Sequence, residues 1–133
     1  MSYLLDSNAC IVYLNGRAPR LRDRLHQTSP SEIYVCSVVK TELFFGSLRS
    51  NNPAANLVKQ RSFLTQFISL PFDDQAAEHC AKVRAHLADL GQIIGPNDLL
   101  IAAIALANSL TLVTDNTSEF QRVPGLKCEN WQE

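Results

Sequence analysis

Five acidic side chains fall where an α/β enzyme collects its chemistry: Asp6, Glu42, Asp98, Asp115 and Glu119. Asp6 ends the apolar run Tyr3-Leu4-Leu5, Glu42 lies about one helical turn beyond Ile33-Tyr34-Val35-Cys36, and Asp115 follows the run from Leu110 to Val113. Asp98 sits in the first turn of an apolar helix, and Glu119 comes four residues after Asp115. Open α/β sheets bind ligands beyond the carboxyl ends of their strands, so these acids converge if the first and fourth strands are neighbours. Like charges within about 4–6 Å raise one another's pKa, and a bare cluster takes up protons. A divalent cation reverses this, and Mg²⁺ or Mn²⁺ prefers carboxylate and water oxygens. No His or Cys joins the set, which suits neither zinc nor cysteine chemistry. Carboxylate-held cations serve phosphodiester hydrolysis without a general-base side chain.

Each acid has a plainer reading. Asp6 can cap the helix after it, although Ser7 or Asn8 can do that instead. Glu42 can be an ordinary exposed helix residue, yet Val38, Val39, Leu43 and Phe45 make an apolar surround that a free carboxylate avoids. Asp98 suits a helix dipole, Asn116-Thr117-Ser118-Glu119 reads as a capping box, and Asp115 can be a turn residue. It is their joint placement that points to a site.

Short apolar runs alternating with longer helical patterns predict an α/β fold with a central parallel sheet of about five strands and helices on both faces. Strands are expected at 3–5, 33–36, 68–70, 110–113 and 126–128. Helices are expected to Leu14, over 18–27, from Ser37 to about Arg49, and over 54–67, 73–90 and 98–108. The last is apolar nearly all round and should be deeply packed.

The 133 residues form one expected domain, 1–133, with 46% hydrophobic and 19% charged residues. A chain of this size buries about 68% of its unfolded surface and needs no staples. Disorder and low-complexity classes are excluded. The net charge of −1 excludes a bulk polycation, but residues 1–61 carry +4 and 62–133 carry −5. Arg17, Arg20, Arg22 and Arg24 cluster in the basic half, either as a solvated helix face or as contacts for an RNA backbone. Four isolated cysteines, no signal-peptide pattern and no apolar run near the roughly 20 residues of a membrane span predict a cytoplasmic chain with reduced thiols and no membrane partner.

The motifs resemble PIN-domain ribonucleases, and closely the VapC toxins of bacterial toxin–antitoxin pairs. Leu4-Leu5-Asp6-Ser7-Asn8 is similar to the first family motif, with Ser7 in place of the usual Thr. Val38 to Gly46 resembles the second, with its acid at Glu42. Gly95-Pro96-Asn97-Asp98-Leu99 matches the third, and Val113 to Phe120 looks like the C-terminal segment. The match spans essentially the whole chain. It implies a Mg²⁺- or Mn²⁺-dependent endoribonuclease that inhibits translation and growth by cutting structured RNA such as transfer or ribosomal RNA. Asp6 and Asp98 would hold the metal with Glu42 beside them, and Glu119 would be the fourth acid, with Asp115 as second choice. Ser7, Asn8 or Asn116 would support a water or the scissile phosphate.

The resemblance also implies a homodimer, a VapB-type antitoxin, larger toxin–antitoxin assemblies and operator DNA reached only through the antitoxin. Phe44, Phe45, Leu57, Phe63 and Phe67 could offer the antitoxin an apolar groove, or could simply be core. A haloacid-dehalogenase-like phosphatase is disfavoured because Asn8 stands where that chemistry needs a second Asp. The alternative function is a catalytically silent PIN domain that binds RNA or protein.

Overall fold

The computed structural model describes residues 1–133. Five parallel strands form one sheet in the order β3-β2-β1-β4-β5. They are β1 (Tyr3–Leu5), β2 (Ile33–Cys36), β3 (Ile68–Leu70), β4 (Thr111–Val113) and β5 (Cys128–Glu129). Seven helices connect and cover them: α1 (Ser7–Leu14), α2 (Pro19–Gln27), α3 (Ser37–Leu48), α4 (Pro53–Leu64), α5 (Asp74–Asp89), α6 (Pro96–Ala107) and α7 (Thr117–Phe120). None is long and apolar enough to cross a membrane.

The chain leaves β1 toward β2 and β3 on one side and returns to β4 and β5 on the other, so the order reverses between β1 and β4. Tyr3, Leu4 and Leu5 pair with Thr111, Leu112 and Val113. The neighbour relation on which convergence of the acids depends is therefore present. Adjacent strands whose connections diverge leave a crevice at their carboxyl ends.

Burial follows the sheet order. Every residue of β1 and β4 is buried, whereas Ile68 on the edge strand β3 is half exposed. Helix α6 buries Leu99 and Ile101 through Ala105, as its continuous apolar surface requires. Pro96 at its first turn and Asn52-Pro53 at the start of α4 use proline where a backbone N–H has no helical partner.

Three boundaries differ from expectation by two residues or more, and one open cap is settled. Helix α4 ends at Leu64, because the chain must turn at Thr65–Phe67 before entering β3. Helix α6 begins at Pro96 rather than residue 98. β5 lies at Cys128–Glu129, where Leu112 and Thr114 donate N–H groups to Lys127 and Glu129. Helix α1 is capped by Asp6 and not by Ser7 or Asn8: the Asp6 carboxylate accepts from the Ala9 N–H at 2.8 Å.

Candidate active site

The acids are positioned by strand ends and helix starts. Asp6 is the first residue past β1; its N–H still donates to Val113 O at 3.1 Å, so it is tied to β4 by backbone. Asp98 is in the first turn of α6, and Glu119 is in the first turn of α7. Three carboxylates thus stand at helix N-termini, where exposed N–H groups and the helix dipole favour negative charge. Glu42 reaches in from α3, which follows β2 directly, and the Ser7 hydroxyl donates to it.

A cavity of about 550 Å³ lies beyond β1 and β4 and is lined by Asp6, Glu42, Asp98 and Asp115, with Ser7, Asn8 and Asn116 among them. Glu119 stands behind Asp98. Its Oε1 accepts from Gly95 N–H at 3.0 Å, and the Asn116 amide donates to its other oxygen. The expected capping box is therefore replaced by a bond across to the start of α6. Asp115 is exposed on the rim.

Electrostatics separate these groups. Burial pushes the Asp6 carboxyl up from 3.8 to about 6, against hydrogen bonds from Thr114 and Ala9 that favour its charged form. Asp98 rises to about 7 through desolvation, then through the hydrogen bond and repulsion of Glu119, with Glu42 and Asp6 adding to it. Glu119 is lowered: desolvation is outweighed by bonds from Gly95, Asp98 and Asn116 and by the Arg122 charge. Asp98 and Glu119 act as a pair in which Asp98 holds the proton.

Such a cleft fits a hard divalent cation by its donor chemistry, since every polar group lining it is a carboxylate, a hydroxyl or an amide. No three carboxyl, imidazole or thiol groups lie near enough together to form a closed cage. Mg²⁺ does not need one, because it keeps several waters and binds through one or two carboxylates.

Of the four arginines, Arg22 pairs with Asp23 at 3.2 Å, and Arg24 pairs with Glu129 at 3.3 Å while lying 4.7 Å from the Trp131 ring centre. Arg24 thus holds the C-terminal segment, and only Arg17 and Arg20 remain without an ion pair. Among the aromatic candidates Phe63 is core, stacked on Tyr13, whereas Phe45 is exposed. Two residues were missed by sequence reasoning. Thr114 is 1% exposed and bonds the Asp6 carboxyl, and Gly95 holds Glu119 by its backbone. A hydroxyl at the last position before the β4 turn is the signal that could have marked Thr114.

Residues 3–126 match the PIN domain family. The chain is 34% identical over 131 residues, 98% of each protein, to the tRNA(fMet)-specific endonuclease VapC of Salmonella typhimurium. It is 36% identical over 132 residues, again 98% of each, to ribonuclease VapC2 of Rickettsia felis. In the crystal structure of DNA-bound VapBC from Salmonella typhimurium, one chain superposes with a TM-score of 0.93 at 34% identity, covering 98% of both.

Proposed function

The chain belongs to the PIN-domain family, and on that footing we propose that it is a VapC-type endoribonuclease toxin that cuts cellular RNA, arrests translation and growth, and is held inactive by a VapB-type antitoxin. The observation that carries this reading is the convergence of Asp6, Glu42 and Asp98 in one open cavity where β1 and β4 end side by side. Likeness to VapC ribonucleases over nearly the full length, and to a toxin from a VapBC complex with DNA, supports the same activity and antitoxin. A homodimer, larger assemblies with antitoxin, and operator DNA bound through the antitoxin belong to this reading. So does a cytoplasmic setting, with all four thiols free. The transfer-RNA specificity of the Salmonella relative favours a structured RNA, of the transfer or ribosomal kind, as substrate.

In this reading Asp6 and Asp98 would hold Mg²⁺ or Mn²⁺, with Glu42 and Glu119 completing the acidic set and Asp115 outside it. A bound ion would supply positive charge to offset the charge that a phosphate gains during hydrolysis. The protein's own groups orient the rest. Ala9 N–H and Thr114 fix the Asp6 carboxylate, Ser7 fixes Glu42, and Asn116 with Gly95 fixes Glu119. Asn8 and Asn116 line the cavity with amide donors suited to phosphate oxygens. Arg17 and Arg20 serve the RNA backbone farther out.

The test is cleavage of total cellular RNA by the purified, antitoxin-free protein. Discrete fragments are expected in Mg²⁺ or Mn²⁺, and none with EDTA or with Asp6→Ala. RNA that binds but stays uncut in every metal would assign the chain to the silent binding modules instead.

A further inference from the structure

Among α1, α3 and α4 a second pocket of about 250 Å³ opens beside the acidic cleft and shares Ile11 and Glu42 with it. Most of the residues that line it are polar. Ser47 and Ser50 at the end of α3 face Asn56, Lys59 and Gln60 of α4, which lie at helical spacing on one side of that helix.

Three observations say that this pocket is built for an occupant. Gly46 lines it from inside α3, where glycine costs helix stability relative to alanine. A Cβ at Gly46 would meet nothing within 4 Å, so packing does not demand the glycine; its missing side chain keeps the pocket open. The Gln60 carbonyl oxygen is shielded from solvent and has no partner, a cost that an incoming donor removes. Asn56 gives an amide hydrogen to Ser50 at 2.8 Å and keeps its carbonyl oxygen free, while Lys59 makes no ion pair.

We propose that this pocket reads the base next to the scissile phosphate of the RNA, with Asn56 and Gln60 meeting the base edge and Lys59 the adjoining phosphate. The inference rests on the ribonuclease reading above and adds the origin of its sequence preference. Unpaired RNA bases are recognised on their hydrogen-bonding edges, and sites built to hydrogen-bond reject analogues that lack the matching group. Asn56 and Gln60 each offer an amide oxygen and N–H groups, so the pocket selects a base by the pattern of donors and acceptors on its edge. Ile11 and Leu14 supply apolar surface for one ring face, while Leu43 belongs to the core beneath.

The experiment digests total cellular RNA and a pool of stem–loop RNAs with randomised loops, using wild type, Gly46→Leu, Gln60→Ala and Lys59→Ala, and sequences the cut ends. Gly46→Leu fills the pocket, and its thermal midpoint should equal or exceed wild type. The expected result is a wild-type base preference at one flanking position that Gly46→Leu and Gln60→Ala flatten. KM for Gly46→Leu should rise about tenfold while kcat moves far less. Lys59→Ala should raise KM for every sequence alike. A wild type without flanking bias, or a Gly46→Leu that keeps bias and KM, overturns the pocket's role. Unchanged RNA kinetics with weakened capture of a VapB-type antitoxin overturns it in favour of a protein occupant. A wild type that cuts no RNA removes the ribonuclease reading itself, a failure distinct from the others.

Discussion

At one end of the acidic cleft, Asp6 is buried, caps α1 and is held by Ala9 and Thr114. At the other, Asp98 is half exposed and leans on a second acid, Glu119, whose own oxygens are taken by Gly95 and Asn116. The first carboxylate belongs to the fold as much as to the site. Its burial raises its pKa while its hydrogen bonds keep its direction fixed. The second is set mainly by its neighbours and responds when a cation or proton enters. A rigid anchor opposite a responsive pair lets the cleft gather negative charge without losing its geometry.

The largest expected effect comes from removing either side. Asp6→Ala and Asp98→Ala should each lower RNA cleavage more than about a hundredfold, measured as initial rates in saturating Mg²⁺. Their folding effects should differ in kind, because Asp6→Ala also loses a helix cap worth about 1 kcal/mol. Asp6→Asn keeps a capping oxygen and removes the buried charge. In metal-free buffer at pH 7.5 it should therefore melt above both wild type and Asp6→Ala.

The next contrast is pH. Asp6 and Asp98 have folded-state pKa values of about 6 and about 7, above their ordinary 3.8. The folded protein therefore binds more protons than the unfolded chain across that window, and its stability falls as pH rises through it. For buried Asp6 the loss is about 3 kcal/mol, complete above its folded pKa. Melting of the metal-free protein should thus drop by several degrees between pH 4.5 and 7.5. Millimolar Mg²⁺ or Mn²⁺ should restore it at the upper pH and do little at the lower. A melting point that rises with pH in EDTA would contradict the assignment of raised carboxyls.

Glu119→Gln sharpens the pair. It removes the charge that helps raise Asp98, so the acidic limb of the pH–rate profile should move to lower pH. Activity should fall about tenfold, more than for rim Asp115→Asn, which should change it about twofold. An order reversed between these two would make Asp115 the fourth acid. The smallest effect is expected far from the cleft. Arg24→Ala should cost about 1 kcal/mol in thermal or urea melts through its lost stacking and ion pair. It should leave the salt dependence of RNA binding unchanged, whereas Arg17→Ala and Arg20→Ala should each reduce that slope by about one.

Much of this was legible residue by residue. The runs Tyr3–Leu5 and Ile33–Cys36, the helix breaker Asn52-Pro53 and the unbroken apolar face of α6 are local signals, and the elements formed where those signals lay. The four motif acids also came together, through the pairing of β1 with β4. What local patterns could not carry was the partner of each group. Asn116 to Glu119 has the composition of a capping box, yet Glu119 turns to Gly95, a tertiary neighbour on another helix. Arg24 looked like part of a free basic stripe until Glu129 and Trp131 closed on it from the other end of the chain. The sequence left the α1 cap open between Asp6 and its neighbours Ser7 and Asn8, and the Asp6 carboxylate takes it while facing the cleft.

The pairing of β1 with β4 also sets when the cleft can exist at all. Tyr3 waits for Thr111, and Trp131 then packs edge-on against Tyr3 with ring centres 4.9 Å apart. A growing chain has no cleft until nearly all of it has left the ribosome, and a prematurely ended one never acquires it. Contacts so distant along the chain form late and slowly. Synthesis itself therefore imposes a delay between the first acid of the cleft and its completion.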